Sequence, residues 1–91
     1  GLVQLTKSLA VAWAKDNIQV NAVLPGWIVT DLTRGIQNAD PNRYDNISRR
    51  IPAGRWGDPS EMAGAAVFLA SAASDYVTGA TLTVDGGYSV A

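Results

Sequence analysis

The run Ile18-Gln19-Val20-Asn21-Ala22-Val23-Leu24 stops at the pair Pro25-Gly26, and this junction limits the fold more than any other stretch of the chain. The run is too short for a typical helix, and only Gln19 and Asn21 interrupt its apolar character, so residues 18–24 read as a strand covered on both faces. Such strands belong to parallel sheets with helices on either side. Proline followed by glycine then turns the chain. In open α/β sheets a crevice forms outside the carboxyl ends of the strands, and glycine allows close backbone approach because it has no Cβ. Pro25-Gly26 is therefore either an ordinary turn or the floor of a ligand site.

The segments on either side supply the helices that such a strand requires. Leu2, Leu5, Leu9, Ala12 and Trp13 recur at spacings of three and four, which predicts an amphipathic helix over residues 1 to about 15, with Asn17 as its left-handed cap. That periodicity is already running at Leu2 with no capping residue before it, so the chain reads as the C-terminal part of a longer protein. Thr30 or Asp31 caps a short helical turn, and Asp40-Pro41 starts a second short helix through about Arg50. The polar stretch of about 31–51 is either a surface insert or a lid over a ligand. Asp58-Pro59-Ser60-Glu61 is a capping box with proline at the first helical position, and its helix runs to about Ser71. Thr81-Leu82-Thr83-Val84 alternates as a strand before Asp85-Gly86-Gly87. The order is helix, strand, insert, helix, strand, and two strands joined by a helical crossover are expected to be parallel.

Composition narrows the chemistry. With 91 residues, 47% of them hydrophobic, the chain forms at most one small domain that buries roughly 60 to 65% of its unfolded surface. Seven basic and eight acidic residues give a net charge of −1 without a basic stripe, which argues against nucleic acid and anionic membrane as partners. Histidine and cysteine are both absent, so the commonest general base, thiol chemistry and the usual zinc ligands are missing. The lack of cysteine fits a reducing, cytoplasmic setting. Neither a phosphate-binding glycine loop nor a nucleophile beside a base stands out. Arg49-Arg50 are either solvated or partners for an anionic ligand, whereas Arg55, Glu61 and Asp85 are placed to form ion pairs around the turn at residues 54–59.

Taken together, the motifs form a series: Asn21-x-x-x-Pro25-Gly26-x-Ile28-x-Thr30, then Gly54-Arg55-Trp56-Gly57-Asp58-Pro59-Ser60-Glu61-Met62-Ala63, then Phe68-Leu69-Ala70-Ser71, then Thr78-Gly79-x-x-x-x-Val84-Asp85-Gly86-Gly87. Spaced in this order over nearly the whole chain, they resemble the C-terminal third of a classical short-chain dehydrogenase/reductase. The resemblance implies an α/β fold, the C-terminal part of a single Rossmann-type domain with a doubly wound parallel sheet. It also implies an NAD or NADP cofactor, an alcohol or carbonyl substrate, and a homo-oligomer, dimer or tetramer. Pro25, Gly26, Ile28 and Thr30 would line the nicotinamide end of the cofactor site, with the Ile28 backbone meeting the carboxamide and the Thr30 hydroxyl adding a hydrogen bond to the carboxamide or a phosphate oxygen. Residues 31–51 would form the substrate lid, with Leu32, Ile36, Tyr44 and Ile47 as its apolar contacts. The family's glycine-rich loop, its catalytic serine and its Tyr-x-x-x-Lys are not matched: Ser48 follows Tyr44 by four residues, Ala80 follows Tyr76, and Tyr88 lies too near the end. The chain alone is thus expected to be inactive. The stretch at residues 51–57 is similar to that of bacterial sugar-acid and polyol dehydrogenases in the family. A noncatalytic assembly module of a degenerate member is the competing reading.

Overall fold

Alanine- and leucine-rich sequence carries the first helix, α1, from Leu2 to Trp13. It tightens into a short 3-10 turn and ends at Asn17, whose left-handed φ of 57° gives the expected cap. A computed structural model describes residues 1–91. The chain goes on through β1 (Ala22–Pro25), α2 (Asp31–Ala39), α3 (Pro41–Arg50), α4 (Pro59–Ala70) and β2 (Thr81–Val84). The two strands form one sheet. Ala22 N–H donates to Ala80 C=O and Gly26 N–H to Val84 C=O, both at 3.0 Å. Donor and acceptor numbers rise together, as in a parallel pair. The chain divides into two compact units, one of Gly1–Leu24 with Ala63–Thr83 and the other of Pro25–Met62 with Val84–Ala91.

In the first unit β1 begins at Ala22 rather than at the expected residue 18. The cause is Asn21, whose side-chain amide takes the place of a ladder. Its Nδ2 donates to Val77 C=O and its Oδ1 accepts from Ala80 N–H, both at 3.0 Å. Val20 N–H is taken up by the Thr78 hydroxyl at 3.1 Å. Helix α1 also departs from expectation, because its buried residues are Thr6 and Ala10, while Leu2 and Leu5 are 60% and 55% exposed. Gly79, at φ +73°, a conformation that favours glycine, lies against Ala10: a Cβ there would sit 3.4 Å from the Ala10 methyl. The buried side of α1 is thus formed by the small side chains of Thr6 and Ala10. In α4, Ala63–Ala70 includes no buried residue, and Val67 and Phe68 are exposed although the helix is apolar on every side. A helix of that character normally packs against something.

The core of the second unit is aromatic. Ile47, Ile51 and Trp56 are its buried residues, with Trp27, Val29, Tyr44 and Tyr88 packed around them. Tyr44 stacks on Trp56 with centroids 4.7 Å apart and planes 12° from parallel, and Trp27 tilts against Trp56 at 5.3 Å. Both geometries suit aromatic pairs. Trp56 is 4% exposed and its indole N–H has no partner, an energetic cost that the packing around the ring offsets. Asp40 caps α3 by accepting from Arg43 N–H at 3.1 Å, with Pro41 at the first helical position as expected. The cap fixes the start of α3 and so the place of Ile47 in the core. Ile47→Ala leaves a cavity beside Trp56 and is expected to destabilise the protein by about 2 to 4 kcal/mol. Chemical denaturation measures this, and a loss below about 0.5 kcal/mol, the size of an ordinary surface substitution, would contradict the packing described.

Candidate functional site

Beyond Gly26 the chain stays extended for a few residues, because a second backbone pairs with it. Gly57 N–H donates to Trp27 C=O at 2.8 Å and Val29 N–H donates to Gly57 C=O at 2.9 Å, which makes Ile28 and Gly57 an isolated parallel bridge. In such a bridge the neighbours of Ile28 do the bonding, so its own N–H and C=O point to the opposite side. The Ile28 carbonyl accepts from the Thr33 hydroxyl at 2.8 Å, while the Ile28 N–H makes no hydrogen bond within the chain. Thr30 follows as the N-cap of α2, its hydroxyl accepting from Thr33 N–H at 3.3 Å.

Two glycines make the approach possible. A Cβ on Gly26 would lie 2.5 Å from Asp85 Cβ and 2.8 Å from its Cα. The reason for this glycine inside the chain is thus the passage of Asp85. A Cβ on Gly57 would meet Ile28 Cδ1 at 2.6 Å, so a larger residue there would require the tip of the Ile28 side chain to move.

An ion pair holds the loop that carries Gly57. Arg55 donates Nη1 to Glu61 Oε1 at 2.7 Å and Nη2 to Oε2 at 3.0 Å, and Nη1 also reaches Trp56 C=O. The same Glu61 accepts from Asp58 N–H at 2.9 Å, one half of the expected capping box, while the Asp58 carboxylate accepts from Ser60 N–H instead of Glu61 N–H. Two-point pairing with Arg55, then the Asp58 amide, lowers the Glu61 pKa from 4.5 to about 2. The Arg55 pKa rises for the matching reason. Asp85 does not join this ion pair. Its carboxylate accepts from Ser89 N–H and Gly87 N–H at 2.9 Å, which lowers its pKa, because the tight turn after β2 offers these amides at closer range.

The residues singled out from the sequence fall into distinct settings. Pro25, Gly26, Ile28 and Thr30 lie on one continuous segment, with Pro25 and Thr30 exposed and Gly26 and Ile28 half-buried. Of the apolar residues at 31–51, Leu32 is 87% exposed on α2 and Ile36 is half-buried. Tyr44 and Ile47 belong to the aromatic core instead. Arg50 lies over the Tyr88 ring at 5.6 Å, beside an open hollow lined also by Trp27, Arg43 and Asn46. Thr33, which sequence reasoning passed over, is the partner of both Ile28 and Thr30. The Thr-x-x-Thr spacing was its only signal.

Residues 1–89 match the family model described as enoyl-(acyl carrier protein) reductase. The chain is 52% identical over 88 residues to the 2-dehydro-3-deoxy-D-gluconate 5-dehydrogenase of Escherichia coli (strain K12), covering 97% of this chain and 34% of that protein. Among solved structures, an Agrobacterium tumefaciens protein with bound NADP superposes with a TM-score of 0.92 at 54% identity, over 100% of this chain and 37% of that one. A gluconate 5-dehydrogenase from Burkholderia cenocepacia J2315, in complex with NADP and tartrate, gives 0.89 at 48% identity over 99% and 35%. The chain thus spans about a third of the length of the curated relatives it matches.

The ion pair makes a pH-dependent contribution. Because the Glu61 pKa falls on folding, its contribution is complete above about pH 4.5 and is lost as pH drops toward about 2. Both side chains are partly exposed, so salt screens the effect. Glu61→Gln is expected to lower the denaturation midpoint at pH 7, and the gap to wild type should close over that acid window. A gap that persists unchanged to pH 2 would contradict it.

Proposed function

The chain belongs to the short-chain dehydrogenase/reductase family, whose enoyl-(acyl carrier protein) reductase model it matches over residues 1–89, and from that membership we propose that its protein is an NAD(P)-dependent oxidoreductase of alcohol or carbonyl substrates. In this reading the residues form part of a single Rossmann-type domain and supply the nicotinamide end of the cofactor site. The bound nicotinamide gives or takes hydride. The observation that carries the reading is the Ile28 N–H, left without a partner on a segment that Gly57 holds in place. An amide donor beside the Thr30 hydroxyl is complementary to a primary carboxamide, whose oxygen has two lone pairs and can accept from both. Pro25 and Gly26 form the turn beneath. Relatives described as acting on gluconate derivatives point to a sugar acid or polyol as the substrate class.

The remaining roles belong to the same proposal. Helices α2 and α3, at 31–51, serve as the substrate lid, with Leu32 and Ile36 facing the ligand side and with Tyr44 and Ile47 anchoring the lid in the core. The exposed Val67 and Phe68 of α4, together with β2, contact a second copy in a dimer or tetramer. That unburied helix also favours the competing reading of a noncatalytic assembly module. A cytoplasmic setting fits a chain without cysteine. The proton-transfer residues of the family have no match among residues 1–91, so a polypeptide of these residues alone should show no cofactor-dependent turnover and should self-associate. Turnover by it, or a monodisperse monomer in light scattering at micromolar concentration, would contradict these two roles.

Thr30 gives the direct test. A hydroxyl has one proton to donate and two lone pairs, so Thr30 can accept from Thr33 N–H and still donate to a ligand. Thr30→Val in the full-length protein is expected to lose about 0.5 to 1 kcal/mol of stability through the helix cap. It should also lose roughly tenfold in NAD(P)H affinity through the missing hydrogen bond. Titration with NAD(P)H alongside denaturation midpoints reads both quantities. An unchanged dissociation constant would reduce Thr30 to a cap. Absence of nicotinamide binding by the wild type would favour the assembly module.

A further inference from the structure

We infer that Thr33 is a positioning residue for the cofactor, whose hydroxyl decides which backbone groups of the 28–30 segment are presented to a ligand. The inference rests on the cofactor reading of Ile28 and Thr30 proposed above. Thr33 is the third residue of α2, and its Oγ1 donates to Ile28 C=O at 2.8 Å and accepts from Thr30 N–H at 2.6 Å. This is the bonding pattern that Gly57 makes on the other edge, where its N–H meets Trp27 C=O and its C=O meets Val29 N–H. One side-chain oxygen thus stands in for a neighbouring strand. Residues 27 and 29 are held by Gly57, and residues 28 and 30 by Thr33.

A capping box needs only part of this. Reciprocal bonding between the N-cap and the third helical residue accounts for the contacts between Thr30 and Thr33. The bond to Ile28 C=O reaches two residues further back and adds nothing to the helix end. Its effect is on the open edge. With Ile28 C=O and Thr30 N–H already engaged, Ile28 N–H is the one backbone donor of residues 28–30 left without a partner. The Thr33 proton is directed to the Ile28 carbonyl, its Thr30 C=O approach being longer at 3.2 Å. Hence, of the two hydroxyls 3.3 Å apart, only that of Thr30 has a proton not already directed to a backbone carbonyl. Removing the Thr33 hydroxyl frees two competing backbone groups and unties Ile28 from α2.

The test compares Thr33→Val and Thr33→Ser in the full-length protein, titrated with NADPH or NADH, whichever the wild type binds, and with the matching ADP-ribose, which lacks the nicotinamide. Thr33→Val should weaken binding of the reduced cofactor by about threefold to tenfold. Its ADP-ribose affinity should stay within about twofold of wild type, and Thr33→Ser should restore cofactor affinity to a similar margin, since serine keeps the hydroxyl. A lowered denaturation midpoint with unchanged cofactor affinity would overturn the inference, leaving Thr33 a helix cap. Equal weakening of both ligands would overturn it as well, by showing general damage. If the wild type binds neither NADPH nor NADH, the cofactor reading itself falls and this inference falls with it.

Discussion

The bridge between Ile28 and Gly57 is the interaction on which the second unit depends. It joins a segment leaving a strand to a loop about 30 residues further along and fixes both with two short hydrogen bonds. Without it Trp27 and Val29 would have no fixed place against Trp56, and the aromatic core would lose one wall. The same pairing turns the Ile28 N–H and C=O away from Gly57, where Thr33 takes the carbonyl and the N–H has no partner. A structural constraint and the unpartnered Ile28 N–H thus have one cause, because backbone groups alternate in direction along an extended segment.

The surrounding features keep that bridge in register. Gly26 lets Asp85 pass at a distance no Cβ would tolerate, and Gly57 makes room for the Ile28 side chain. Arg55 and Glu61 then tie the loop carrying Gly57 to the first turn of α4 through paired charged hydrogen bonds. Charge-assisted pairs of this two-point geometry define orientation as well as attraction. Ala53 N–H donates to Gly86 C=O at 3.0 Å, adding a backbone tie between the same loop and the turn after β2. The hydrogen bonds fix the loop with only glycine facing Ile28 at the bridge.

What could be read from the sequence was local. Asn17, Asp40 and the Asp58 to Glu61 box all cap helices as their residue types require, since a cap is decided within a few residues. The alternating strand at Thr81–Val84 was also legible, as was its parallel partnership. The misses are non-local. Asn21 ends the ladder through bonds to Val77 and Ala80, more than 50 positions away, and hydropathy holds no record of them. The exposed leucine stripe of α1 misled for the opposite reason, since periodicity identifies an apolar face without saying whether these residues cover it. At the candidate site, Pro25 to Thr30 stood out because a motif marks them. Thr33 was not, because its importance comes from reaching a carbonyl that lies off its own helix.

Residue-resolved amide hydrogen exchange on the full-length protein, with and without saturating NADPH or NADH, tests the central claim most directly. Val29 and Gly57 donate across the bridge and should exchange slowly in both states, whereas the unpartnered Ile28 amide should exchange fast in the free protein and slow down on cofactor binding. An Ile28 amide whose exchange is the same in the free and saturated protein would contradict the claim that the bridge presents it to the cofactor.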